Sequence, residues 1–81
     1  MSWLDFDNQE KGFSAFRLTR LTVRANKGKR IVYITSRDID RNRGYCFPKY
    51  GTISGIYYNQ VLFENGKSEY IKDIIECGIE A

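Results

Sequence analysis

The alternation of apolar and polar residues predicts short β-strands along most of the chain. Residues 30–35 form an almost continuous apolar run, which is typical of a strand that is buried on both faces or lies in the wall of a barrel. Further on, residues 61–64 and 67–72 are strand-like runs separated by Asn65-Gly66. Asn-Gly between such runs is a strong signal for a β-hairpin. The second half of the chain therefore predicts an antiparallel meander.

Two more segments extend this sheet. Residues 50–58 read as a strand in which Gly51 and Gly55 are positions for a kink or bulge. Residues 75–79 read as a short last strand after a turn at 73–74. Five or six short strands with tight turns predict a mostly β single domain over 1–81, a small antiparallel barrel.

The segment 13–25 fits two geometries. As a helix, it would carry Arg17, Arg20 and Arg24 as one basic stripe. As a strand, it would place Arg20, Thr22 and Arg24 on one face, and its β-branched residues favour this reading. We take 13–29 as an N-terminal strand and turn, and either geometry puts Arg20 and Arg24 on the same side.

The remaining segments are more polar. Residues 1–12 predict a flexible or loosely packed arm, and residues 36–49 predict a long loop before the central strand. Loops of this length in a compact domain are uncommon and are often functional.

The strand pattern also predicts which side chains face the core. Strand geometry places Tyr57 and Tyr58 on opposite faces, so one ring should face inward and the other outward. The predicted core comprises Ile31, Ile34, Ile53, Ile56, Leu62, Ile71 and Ile74.

The pattern of the second half resembles a known fold. Residues 51–56, 61–66 and 69–71, followed by a short turn into the last strand, resemble SH3-like barrels of the KOW and Tudor type over about residues 30–80. The 14 residues between Thr35 and Tyr50 depart from the usual KOW pattern, and the N-terminal segment is extra. The resemblance implies an SH3-like barrel that recognises nucleic acid, ribosomal RNA, methylated tails or protein surfaces, depending on the member.

The positive charge is concentrated in the middle of the chain. The net charge is only +3, but residues 17–50 carry ten basic and two acidic side chains, whereas 1–16 and 51–81 are acidic on balance. Such a segment concentrates polyanions or acidic proteins near one side of a folded domain. The alternative is a set of solvated charges without a partner.

Residues 41–50 alternate cations with aromatic rings. Cations neutralise phosphates while rings stack on unpaired bases. The sequence thus predicts nucleic-acid binding, DNA or RNA. The alternative is a protein-interaction module, inhibitor or regulatory subunit that presents the same loop to an acidic protein, since Tyr and Arg also dominate protein interfaces. The candidate binding residues are Arg20, Arg24, Lys27, Lys29, Arg30, Arg37, Arg41, Arg43, Tyr45, Lys49 and Tyr50.

The absence of histidine excludes several kinds of catalytic and metal-binding site. Without it the chain has no imidazole base, Cys-His pair or His metal ligand. Two cysteines, Cys46 and Cys77, do not make a Cys-only zinc site, and without a secretion signal a stable disulfide is not expected. We therefore expect no enzyme activity, no metal, no cofactor, no membrane segment and a cytoplasmic location.

Overall fold

The computed structural model describes residues 4–8, 10–41 and 48–81, with only the backbone described at Arg41. Six strands, two short α-helices and one 3-10 helix follow one another along these residues. They are β1 (Phe13–Ala15), α1 (Arg20–Ala25), β2 (Arg30–Thr35), α2 (Ser36–Arg41), β3 (Lys49–Tyr57), β4 (Gln60–Phe63), β5 (Ser68–Tyr70), the 3-10 helix (Ile71–Asp73) and β6 (Ile74–Glu80).

All six strands belong to one antiparallel sheet. Their order is β1-β6-β2-β3-β4-β5, so β6 lies between β1 and β2. The predicted mostly β, antiparallel fold of five to six strands is confirmed. Within the described residues, the two outermost strands, β1 and β5, do not pair with each other, and closure as a barrel is not found.

Strand β2 is buried on both faces, as its apolar run predicts. One face of β2 packs into the main core, whose buried members are Leu18, Val23, Ile31, Tyr33, Ile53, Val61, Phe63 and Cys77. The other face presents Val32 and Ile34 to a second cluster that includes the buried Leu4. Leu4 and Glu10 are 4% and 3% exposed. The expectation of a loosely packed arm is therefore wrong for these positions.

The predicted core is right in β2 and early β3 but is one residue out of register in β4. Ile31, Ile34 and Ile53 are completely buried. Leu62 is only partly buried, while its neighbours Val61 and Phe63 point into the core. Side chains alternate along a strand, so a slip of one residue exchanges the faces. The other predicted core residues that are only partly buried are Ile56, Ile71 and Ile74, which pack against the main cluster.

The pairing of β3 with β4 is irregular between Ile53 and Gly55, as the sequence predicts for this glycine-containing strand. A bulge of this kind increases the local twist and re-aims the side chains that follow it. Beyond it, Ile56 pairs with Val61 and Tyr57 pairs with Gln60. Because Val61 is buried, the paired Tyr57 and Gln60 lie on the opposite, outer face.

Residues 20–25 are helical, so the preference for a strand there is wrong. Thr19 and Thr22 form a capping box, in which the Thr22 amide donates to Thr19 Oγ1 at 3.2 Å and the Thr19 amide donates to Thr22 Oγ1 at 2.7 Å. These bonds satisfy backbone donors that a strand would have to pair elsewhere. Val23 then anchors the helix in the main core with no exposed surface.

The predicted loop 36–49 also contains a helix, α2. The Thr35 hydroxyl donates to Asp38 Oδ2 at 2.7 Å and accepts the Asp38 amide at 3.3 Å. The Thr35 amide also donates to Asp38 Oδ2 at 3.4 Å, so that each residue's side chain accepts from the other's backbone amide, as in the capping box of α1. The predicted loop therefore begins with a six-residue helix rather than with irregular chain.

Candidate functional site

Four of the predicted binding residues lie on α1 and the turn that follows it. Arg20, Arg24, Lys27 and Lys29 are all exposed. None of the four makes an ion pair with another described residue. We call these four side chains the α1 cation surface. Their positive charge is not neutralised by a contacting carboxylate in the described part of the chain.

The α1 cation surface is held in place by backbone contacts. Arg20 and Arg24 are one helical turn apart, so they lie on neighbouring parts of one helix face. The turn after α1 is tied to the central strand, because the Gly28 amide donates to the Ile53 carbonyl at 2.8 Å and the Ile53 amide donates to the Lys29 carbonyl at 3.0 Å. Gly28 has φ +89°, a conformation that favours glycine and lets the chain turn back into β2.

Two other predicted residues, Arg37 and Lys49, are instead bound to carboxylates. Arg37 donates to Glu69 Oε1 at 2.7 Å, and Lys49 Nζ lies 3.0 Å from Asp38 Oδ1 and 3.6 Å from Glu69 Oε2. The Glu69 side chain is only 8% exposed. Removing a partner from a buried carboxylate is costly. Arg37 and Lys49 therefore stabilise the contact of α2, β3 and β5, and little of their charge is left for a ligand.

The pKa values in this network follow from the same contacts. Burial acts to raise the pKa of Asp38, but the hydrogen bond from Thr35 and the hydrogen bond and charge of Lys49 outweigh it, so the pKa of Asp38 is lowered. Burial, with the nearby charges of Glu69 and Asp38, raises the pKa of the Tyr33 phenol. Asp38 is thus held as a carboxylate and Tyr33 as a neutral phenol.

Arg30 and Tyr50 form a separate stacked cluster. The Arg30 guanidinium lies 4.8 Å from the Tyr50 ring centroid and 5.9 Å from that of Phe13. The Tyr50 hydroxyl donates to the buried Glu10, and this bond, together with burial and the charge of Glu10, raises the pKa of Tyr50. The Tyr50 side chain is therefore held by a guanidinium over its ring and by a hydrogen bond at its hydroxyl, while 41% of its surface stays exposed.

The rest of the predicted loop site lies outside the described residues. This applies to Arg43, Tyr45 and Cys46, and to the side chain of Arg41. Arg20, Arg24, Lys27 and Lys29 are therefore exposed on α1 and the turn after it, whereas Arg37 and Lys49 belong to an ion-pair network. The stacking role of Tyr45 stays a prediction.

Sequence reasoning missed a group of exposed tyrosines on β3, β5 and the turn after β3. Tyr57, Tyr58 and Tyr70 are 59%, 71% and 46% exposed. The expectation that one of Tyr57 and Tyr58 faces inward is wrong, because Tyr58 has φ +53° and has left the strand. The two rings meet edge to face with centroids 4.5 Å apart. We call these three residues the tyrosine surface. Asn59, a residue type common in turns, directly before the apolar strand β4 was the available signal for a turn here.

Cys77, the cysteine among the described residues, is buried in the main core. Burial raises the pKa of the Cys77 thiol to about 12, so the group is neutral near physiological pH. Among residues 4–8, 10–41 and 48–81, no three acidic, cysteine or histidine side chains are arranged to hold a metal ion. Within the same residues, neither helix has the length and apolar character needed to cross a bilayer.

Comparison with known proteins adds no relative. Family models, curated proteins and solved structures were all searched, and none of them matches this chain.

Proposed function

We propose that this chain is a non-enzymatic, cytoplasmic nucleic-acid-binding module of the SH3-like type, which contacts the phosphate backbone through the α1 cation surface. The observation that carries the proposal is the group of four exposed cations, Arg20, Arg24, Lys27 and Lys29, none paired with another described residue. Unpaired Lys and Arg side chains release counterions when they bind phosphates.

The path of the chain supports the SH3-like part of the proposal. Strands β2 to β5 form a meander, a 3-10 helix follows, and β6 returns to pair with β2. This is the order of elements that the resemblance implies for residues 30–80. Because small barrels of this type host many functions, the fold supports recognition in general, and the cations support nucleic acid in particular.

A second candidate function has one observation of its own. Leu21 lies between Arg20 and Arg24 in sequence and is 76% exposed. An apolar side chain among cations fits an acidic protein with an apolar contact point better than it fits phosphates. Leu21→Ser should weaken binding to such a protein, whereas binding to nucleic acid should change little.

Titration of nucleic acid with salt tests the proposal. Four phosphate contacts on duplex DNA predict a log–log salt slope of about −3 to −4 between about 50 and 200 mM salt. Fluorescence anisotropy of a labelled duplex measures this slope. Arg20→Ala/Arg24→Ala should make it shallower by about two units, with little change in melting temperature because both side chains are exposed.

The matched control removes the same charge elsewhere. Lys11 and Lys67 are exposed, and neither pairs with a described carboxylate. Lys11→Ala/Lys67→Ala should leave the slope unchanged. Equal salt slopes for the two double variants would show that DNA binding depends only on the net charge of the chain. Absence of binding to DNA and RNA at low salt would refute the proposed function and direct attention to an acidic protein partner.

A further inference from the structure

The outer face of β3, β4 and β5 carries a row of side chains that the proposed phosphate contacts do not use. Tyr57 pairs with Gln60, and Gln60 pairs in turn with Tyr70. Directly paired residues of antiparallel strands project from the same face. One face of the three strands therefore carries a row formed by Tyr57, Gln60 and Tyr70, and both tyrosines are well exposed.

A shallow pocket of about 300 Å³ lies at the end of this row. It is lined by Arg20, Asn59, Tyr70, Ile71 and Lys72. The Ile71 amide donates to the Asn59 carbonyl at 2.9 Å, which fixes the start of the 3-10 helix against the turn after β3. The Lys72 ammonium lies 5.7 Å from the Tyr70 ring centroid. Two of the lining residues, Asn59 and Ile71, are thus joined by a backbone hydrogen bond.

The lining combines two cations and an aromatic ring with no carboxylate. Asp73 follows Lys72 in the 3-10 helix but is not part of the lining. By contrast, the pocket beside Lys29 and Arg30 includes Glu80. Of these two pockets, the one beside Tyr70 is the better suited to a ligand that carries both a negative charge and a flat ring.

We infer that the pocket beside Tyr70 binds an unpaired nucleotide of single-stranded nucleic acid, with its base against the Tyr70 ring and its phosphate between Arg20 and Lys72. This inference rests on the proposed function and assigns the class of nucleic acid. Arg20 belongs both to the α1 cation surface and to this pocket, so a strand that follows the cations reaches Tyr70. Bases inside a duplex are stacked on each other and present no free face, which selects for single strands.

Two substitutions at Tyr70 separate the ring from its hydroxyl. Tyr70→Phe keeps the stacking surface, whereas Tyr70→Leu keeps apolar bulk without the ring. With a labelled single strand of about 15 nucleotides, Tyr70→Leu should weaken binding by about tenfold or more. Its effect on the matching duplex should be less than about twofold, and Tyr70→Phe should stay within about twofold of the parent for both ligands.

Two variants that each remove one positive charge give an independent measurement if Tyr70→Leu unfolds. Lys72→Ala removes a lining cation, and Lys67→Ala removes an exposed cation outside the pocket. Lys72→Ala should reduce the single-strand salt slope by about 0.7, and Lys67→Ala should leave it unchanged. Circular-dichroism melts of each variant show whether the fold is intact.

The outcomes distinguish the two proposals. If binding depends on Arg20 and Arg24 but Tyr70→Leu affects single strand and duplex equally, or neither, the pocket assignment is wrong and the proposed function stands. Equal effects of Lys72→Ala and Lys67→Ala would also overturn the pocket. If neither single strand nor duplex binds, the proposed function fails and the pocket assignment fails with it.

Discussion

Gly51 offers a stringent test of how the core is packed. A Cβ atom at this position would lie 2.6 Å from Cδ1 and 2.9 Å from Cγ of Phe63. Carbon atoms in favourable contact are about 3.5–4.0 Å apart. The Phe63 ring would therefore have to move by about 1 Å. The ring has little room to do so, because it is 3% exposed and stacks on Tyr33 at a centroid distance of 5.1 Å.

We expect Gly51→Ala to destabilise the domain by about 1–3 kcal/mol, the usual cost of forcing extra atoms into a packed core. A domain of this size has a free energy of unfolding of about 4–12 kcal/mol, so the loss is large. Urea denaturation followed by circular dichroism measures it. With a slope near ~1 kcal/mol per molar urea, the midpoint should fall by about 1–3 M.

Gly55→Ala is the matched control in the same strand. No atom lies within 4 Å of a Cβ built there, and its φ is not positive. Alanine should therefore be neutral or stabilise by up to about 1 kcal/mol through the unfolded chain. The Gly51→Ala/Phe63→Leu double variant should lose less stability than the sum of the single variants, since the smaller side chain leaves space. Equal midpoints for the two glycine variants, or strict additivity in the cycle, would refute the packing argument.

Two further predictions follow from the register of β4 and from the ion-pair network. Phe63→Ala should lower the free energy of unfolding by about 3–5 kcal/mol, whereas Leu62→Ala, on the outer face, should lower it by about 1–2 kcal/mol. Denaturation midpoints in the reverse order would contradict the register of β4. Asp38→Asn should lose about 1–2 kcal/mol near neutral pH through its bonds to Thr35 and Lys49. Because the folded pKa of Asp38 is below its ordinary value of 3.8, this contribution is present above that value and is lost as the pH falls through the folded pKa. The stability gap between parent and variant should then close in acid, and a gap that stays constant from neutral pH to acid would count against the network.

The local patterns of the second half were sufficient to predict much of the fold. The Asn65-Gly66 hairpin, the apolar run of β2 and the irregularity near Gly55 are all determined by neighbouring residues, which is why they could be read directly. The β4 register was missed because Val61, Leu62 and Phe63 are all apolar, so alternation alone did not reveal which face is buried. Helix α1 was considered but a strand was preferred there, and helix α2 was not predicted, because their starts depend on paired Thr-Thr and Thr-Asp side chains in otherwise strand-like or loop-like sequence.

The candidate site was only partly predictable, because charge in the sequence does not show which cations are already neutralised. Arg37 and Lys49 looked equivalent to Arg20 and Arg24 until Glu69, 32 residues from Arg37, was brought against them. Tyr50 likewise contacts Arg30 on the neighbouring strand and Glu10, 40 residues away in sequence. Contacts between residues so far apart in sequence cannot be recognised from the neighbouring residues. An exposed turn such as the one at Tyr58 can be recognised in that way.

The place of β6 in the sheet has a consequence for how the domain forms. Ile31 pairs with Ile79, 48 positions away, while β3, β4 and β5 pair across short turns. Long loops close more slowly than short ones, so the meander should be organised before β6 inserts between β1 and β2. Until then β2, with its two apolar faces, has an unpaired edge. An unpaired edge of this kind is a template for pairing with a neighbouring molecule, and the pairing of β6 with β2 removes it.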